Sequence, residues 1–236
     1  MSSNLSGLMS ATFYEARYHH LVELVHQRDT HARRRLASLD VAMYDAEGKT
    51  LDTVPVDPQQ DILDLGALVR QVAGIPERVL VVFDARYDER IFPYRPHHYA
   101  YFHRPGSPAP PLYYAVNAVL GGVPDRIGST RFNHFETYVF RQRPFAEQYS
   151  LIVGNLSRFA TAAAQIIAYY DQDRTAREVS LGPKEHTEIA LPSEHDGRRL
   201  RRVDLKAGFR LASYVAGRQA DSGDLVLFDH LFPYVK

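Results

Sequence analysis

The side chains best suited to chemistry crowd into two short runs. FPYRPHHYAYFHR, Phe92 to Arg104, holds His97, His98 and His103 among Tyr94, Tyr99 and Tyr101, with Arg95 and Arg104 beside them. Further on, RFNHFETYVF places Glu136 just beyond His134, with one residue between them. Neutral imidazoles with a carboxylate form the ligand set of Zn, Fe or Cu, so a divalent-metal site is the first chemistry these residues suggest. On a strand, His134 and Glu136 share a face. His97 and His103 cannot serve one ion together, because six residues of extended chain span about 20 Å. The metal set is therefore His134, Glu136 and one further histidine, taken as His98, with His97 or His103 as substitutes.

Other chemistries find no support in the sequence. Cysteine is absent, which excludes a disulfide framework, a thiolate metal site and a cysteine nucleophile. There is no Gly-x-Ser-x-Gly elbow, Walker-type loop or Gly-x-Gly-x-x-Gly turn. The acids of FDARYDER are interleaved with arginines, a pattern of surface ion pairs. Asn155, Leu156 and Ser157 fit a glycan acceptor, a signal without weight when no secretory leader is recognisable in the first twenty residues.

These side chains are positioned by strands. YHHLVELVHQ alternates Leu21, Glu23 and Val25 with Val22, Leu24 and His26, and RVLVVFDARY is a β-branched run of the kind that forms buried strands. DAEGKT supplies the Asp and Gly of a tight turn. AAAQIIAYYD is read as a strand despite its alanines. Only DLGALVRQVAG reads as helix, with Leu65, Leu68, Val69 and Val72 on one stripe and Gly74 as the stop.

Two blocks recur in order. Residues 40–65 match 166–191 in an apolar strand ending Tyr-Asp, a polar turn, a second strand, a Pro and a third apolar patch. LVVFDARYDERIFPY is echoed by LVLFDHLFPY. The expected fold is all-β: two tandem, duplicated β-sandwich domains, with one short helix in the first. Residues 13–104 form domain 1, residues 105–144 a Pro-rich connection plus two strands, and residues 145–236 domain 2. A single larger sandwich or jelly roll is the competing arrangement.

Strand periodicity assigns faces. His97, Tyr99, Tyr101 and His103 point outward, and His98, Ala100 and Phe102 point the other way. In LYYAVNAVL, Tyr113, Ala115 and Asn117 point out while Tyr114, Val116, Ala118 and Leu120 point to the core. In RFNHFETYVF, the expectation is His134, Glu136 and Tyr138 outward with Phe135, Thr137 and Val139 inward. A merely solvated face favours Lys, Glu, Thr and Ser. Rows of Tyr and His instead mark a contact surface. Its residues are Arg95, His97, Tyr99, Tyr101, His103, Tyr113, Asn117 and Tyr138.

Two functions follow. The first is a non-enzymatic binding protein whose Tyr/His face contacts a small ligand, a protein partner or another subunit in a homo-oligomer. The second is a metal-dependent enzyme on the His134 and Glu136 set. Sugar stacking is disfavoured, because 15 Tyr and 12 Phe come with no Trp. Balanced charge, 28 Lys and Arg against 28 Asp and Glu, argues against nucleic acid as partner, so HARRR (31–35) and RRLRR (198–202) read as solvated turns or strand ends. No apolar stretch is long enough to span a bilayer, and a cytoplasmic location is expected.

Overall fold

Alternating apolar and polar residues build strands almost throughout the protein. The structure is a computed structural model, and it describes residues 6–24, 36–57, 59–72, 74, 76–87, 98–119, 123–127, 133–140 and 146–233. The candidate residues Arg95 and His97, the Phe-Pro-Tyr at 92–94 and the basic run at 31–35 lie outside them. The chain divides into two compact units. One comprises Met1–Gly106 and Tyr113–Gly121, the other Ser107–Leu112 and Gly122–Lys236.

The first unit contains β1 (Ser6–Glu15), β2 (His19–Glu23), β3 (Leu36–Tyr44), β4 (Thr50–Pro55), β5 (Ile62–Asp64), β6 (Arg78–Tyr87), β7 (Tyr99–His103), β8 (Leu112–Ala115) and β9 (Asn117–Val119). One sheet has the order β4-β3-β6-β1-β9 and the other β5-β2-β7-β8. The expected helix is a five-residue piece, Leu65–Val69, that buries Leu65 and Val69. Asp64 caps it by accepting from the Ala67 N–H at 3.0 Å. In the β3–β4 hairpin the Asp45 carboxylate accepts from the Lys49 N–H at 2.8 Å, and Gly48 takes the positive φ of 80° that the turn demands.

The second unit contains β10 (His134–Val139), β11 (Gln148–Gly154), β12 (Ala162–Tyr170), β13 (Asp173–Leu181), β14 (His186–Leu191), β15 (Glu194–His195), β16 (Arg198–Ala207), β17 (Ala212–Arg218), β18 (Leu225–His230) and β19 (Phe232–Pro233). Its sheets run β13-β12-β16-β10-β19, with β15 on β16, and β14-β11-β17-β18. The core draws on both: Ile166, Val203 and Leu205 from the first sheet meet Leu151, Val215 and Leu227 from the second. RRLRR opens β16, and each arginine faces a carboxylate. The pairs are Arg198–Asp173 at 3.5 Å, Arg199–Glu194 at 3.9 Å, Arg201–Asp171 at 2.6 Å and Arg202–Asp204 at 3.1 Å.

The strand orders correspond. With β15 set aside, each unit arranges its strands fourth-third-sixth-first-ninth in one sheet and fifth-second-seventh-eighth in the other. Each also breaks its eighth strand at one buried residue and carries the ninth across to the opposite sheet. That residue is Val116 in the first unit and Leu231 in the second, and its N–H donates to His98 or Ser213 respectively. The first sequence match falls on corresponding strands, β3-β4-β5 against β12-β13-β14. The second does not. LVVFD belongs to β6, an inner strand of the five-stranded sheet, whereas LVLFD belongs to β18, an edge strand of the four-stranded one. The two runs are alike in sequence but occupy different positions in the strand order.

Candidate functional site

The Tyr/His face lies on the outer side of the β5-β2-β7-β8 sheet. Pairing sets Glu23 opposite Tyr99, Leu21 opposite Tyr101 and His19 opposite His103. Tyr99, Tyr101 and His103 are half-buried, and Tyr113 on the neighbouring β8 is 62% exposed. The Tyr99 and Tyr113 rings stack with centroids 5.4 Å apart and planes 6° from parallel. Tyr113 Oη donates to Glu23 Oε2 at a long 3.4 Å, and the Tyr101 and His103 rings lie 6.4 Å apart. Ile62 on β5, opposite Glu23, is 54% exposed. Aromatic area, an acid and two imidazoles thus share one solvent-facing surface.

Asn117 does not extend this face. The run LYYAVNAVL is two strands rather than one, and Asn117 pairs with Ala11 of β1 in the other sheet. Its side chain lies outside the described residues.

The inner side of the same sheet carries a polar link. Tyr114 Oη lies 2.7 Å from Thr12 Oγ1 on β1 and 2.9 Å from His20 Nε2 on β2, so a chain of hydrogen bonds joins the two sheets. All three residues are buried, and His20 is packed against Phe102 with ring centroids 3.9 Å apart. Desolvation by this complete burial pushes the His20 pKa down to about 3. Its other ring nitrogen, Nδ1, has no hydrogen-bond partner among the described residues. His98 is also on the inner side, against Phe83 at 5.3 Å.

On β10 the faces are the reverse of those expected. His134, Glu136 and Tyr138 are buried, whereas Phe135 and Thr137 are half-buried and Val139 is exposed. Tyr138 is therefore a core residue, edge-on to Phe140 at 5.3 Å, and takes no part in the contact face. The inversion is sustained because buried Glu136 gathers partners. Ser213 Oγ donates to its Oε2, His134 Nε2 lies 2.8 Å from Oε1, and Arg210 Nε lies 3.5 Å from Oε1. The His134 and Arg210 approaches are ion-pair contacts without the alignment of hydrogen bonds. On the outer side, Lys206 sits over the Phe135 ring at 5.7 Å, which lets an aromatic occupy a solvated position.

This arrangement bears on the nucleophile and metal readings. Ser213 contacts a carboxylate rather than an imidazole, and it is buried, so the order of a Ser-His-acid triad is absent. Both Glu136 oxygens already face protein groups, and His98 belongs to the core of the other unit. Among the described residues, the one set of three ligand atoms close enough for an ion is Asp173, His195 and Asp196. Asp173 there faces Arg198 at 3.5 Å, which already supplies a positive charge.

Two further features are held by local contacts. Asn155 of the glycan-acceptor tripeptide is buried, and its Nδ2 donates to the carbonyls of Ala160, Leu181 and Gly182 at 2.7, 3.1 and 2.8 Å. The nitrogen that a glycan would take is committed. An open groove of about 600 Å³ in the second unit is lined by Tyr149, Glu147, Glu188, Glu194 and Arg218. Its acids are answered locally: Ser150 and Arg218 contact Glu188, Arg199 faces Glu194, and the Ala220 N–H donates to Glu147.

Sequence reasoning passed over Thr12, His20, Arg210 and Ser213. For His20 a signal existed, since it shares the phase of Val22 and Leu24, the buried side of β2. Arg210 and Ser213 carried none, because their partner Glu136 is distant in sequence. No family model matches the chain, and no curated protein is significantly similar to it.

Proposed function

We propose that the protein is a non-enzymatic binding module whose contact surface is the outer face of β2, β7 and β8, and that its partner is another protein. The carrying observation is the parallel Tyr99–Tyr113 stack, left largely open to solvent at Tyr113. Tyrosine supplies large contact area at small conformational cost, and His19, His103 and Glu23 add directional hydrogen bonds. Of the residues expected from the sequence, Tyr99, Tyr101, His103 and Tyr113 make up this surface, joined by Leu21 and Ile62.

The test pairs Tyr99→Ala with Tyr101→Ala in the full chain. Light scattering reports self-association, and affinity capture compared with wild type reports a different partner. Loss of either with an unchanged Tm supports the reading. Unchanged association, or a collapse in Tm that marks the rings as core, defeats it.

We also infer that the two units descend from one duplicated module. What supports this is the recurrence of all nine strand positions and of the sheet-switching residue after the eighth strand.

A further inference from the structure

We propose that the first unit contains an acid-operated release, in which protonation of buried His20 opens β2 and β7 and so dismantles the tyrosine face. The inference rests on the binding reading of that face, and it adds how the face is regulated.

The geometry comes first. His20 is on the inner side of β2 between His19 and Leu21, which are on the outer side. Its ring lies against Phe102, which on β7 falls between the outward Tyr101 and His103. The inner packing of one imidazole therefore holds the two strands that present the outer row. The titratable groups that meet His20 from neighbouring elements are phenols: Tyr14 of β1, stacked at 6.3 Å, and Tyr114 of β8, bonded at 2.9 Å. Tyr18 packs on the same Phe102. Phenols stay neutral through the acid range and cannot balance an imidazolium. The charged groups on these elements act elsewhere. Glu15 alternates to the opposite face of β1 and pairs with Arg78 at 2.8 Å, while Arg70 and Asp64 act on the Tyr14 hydroxyl. His98 is the second imidazole on this inner side.

A proton on His20 would put an uncompensated charge among aromatic rings and make both ring nitrogens donors, of which Nδ1 meets no described acceptor. Opening to water removes that cost. The sign follows from the His20 pKa, about 3 when closed and near the ordinary 6.5 when open. The open form takes up a proton that the closed form refuses, so stability present above 6.5 is lost as pH falls towards 3. Opening is favoured by up to about tenfold for each pH unit in that window.

The experiment is hydrogen exchange on the full chain between pH 7.5 and 4.5, corrected for intrinsic rates. In wild type, protection of residues 19–23 and 99–103 should fall by about tenfold or more between pH 6.5 and 4.5. In His20→Gln, which keeps an amide near Tyr114 without a titrating group, most of that fall should vanish. Constant protection in wild type, an equal fall in His20→Gln, or a fall abolished instead by His98→Gln would overturn the switch. Should His20→Gln not fold, imidazole NMR of wild type decides: reversible titration of His20 near its ordinary pKa, with the strands still protected, overturns it. Acid opening alongside a tyrosine double variant that keeps its partner removes the binding reading alone.

Discussion

The first strand of each unit reaches across its sandwich with a polar side chain, and the two units use opposite chemistry to do so. In the first, Thr12 of β1 meets Tyr114 and His20 through neutral hydrogen bonds. In the second, Glu136 of β10 meets Ser213, His134 and Arg210, an ionic version of the same crossing. Around these links the packing differs as well. The seventh strand of the first unit is aromatic at Tyr99, Tyr101 and Phe102, whereas its counterpart β17, ASYVAGR, has the single aromatic Tyr214, stacked on Phe228 at 4.8 Å. One strand order thus tolerates either a neutral hydrogen-bonded link or a charged one. The neutral version carries the exposed Tyr113 on its outer side.

The comparison can be broken at its strongest point. Glu136→Ala leaves Arg210 and His134 facing an emptied, buried position, and should cost the second unit about 3–5 kcal/mol in denaturant unfolding. A loss below about 1 kcal/mol would mean that the ionic link is incidental. Next in size is Gly217→Ala. An added Cβ would come within 2.9 Å of Leu227 Cβ and 3.0 Å of Ala146 Cβ, so overpacking should cost about 1–3 kcal/mol. A neutral result in thermal unfolding would show that β17 is not packed against these neighbours.

Smaller still is Thr12→Val, which removes one member of the neutral link while keeping shape. About 1 kcal/mol is expected, measured as a shift in denaturant midpoint. An effect matching that of Glu136→Ala would erase the distinction between the two links. The smallest concerns the surface. Lys206→Ala removes an ammonium 5.7 Å above the Phe135 ring and should cost no more than about 1 kcal/mol. A larger loss would place that pair in the stability of the sheet rather than on its solvated side.

Periodicity made the strands and their hairpins legible, because alternation and turn residues act locally. Val22 and Leu24, Ala100 and Phe102, and Tyr114 and Val116 all face inward as their phase predicts. The phase failed at β10, where Phe135 and Val139 outscore His134 and Glu136 in hydropathy. Burial there was decided by Arg210 and Ser213, far along the chain, and no local pattern reports them. The break at Val116 was hidden for a related reason: an apolar pivot between two sheets looks like one more residue of a continuous strand. Within the candidate face, Tyr99, Tyr101 and Tyr113 could be assigned from phase alone, and Tyr138 could not. The stacking of Tyr99 on Tyr113 depends on strands joined through a long loop.

The sheet switch after each eighth strand has a kinetic consequence. It delivers the ninth strand to the first, so that Met9 pairs with Val119 and Thr137 with Phe232. Each larger sheet is therefore closed by its most sequence-distant pairing, and loop-closure entropy must be met before that contact contributes anything. Until then β1 and β10 each present one bare edge, the state in which a strand is most open to pairing with the wrong chain. Folding of both units should be slow for their size, and the ninth strand, though short, is the piece that ends the exposure.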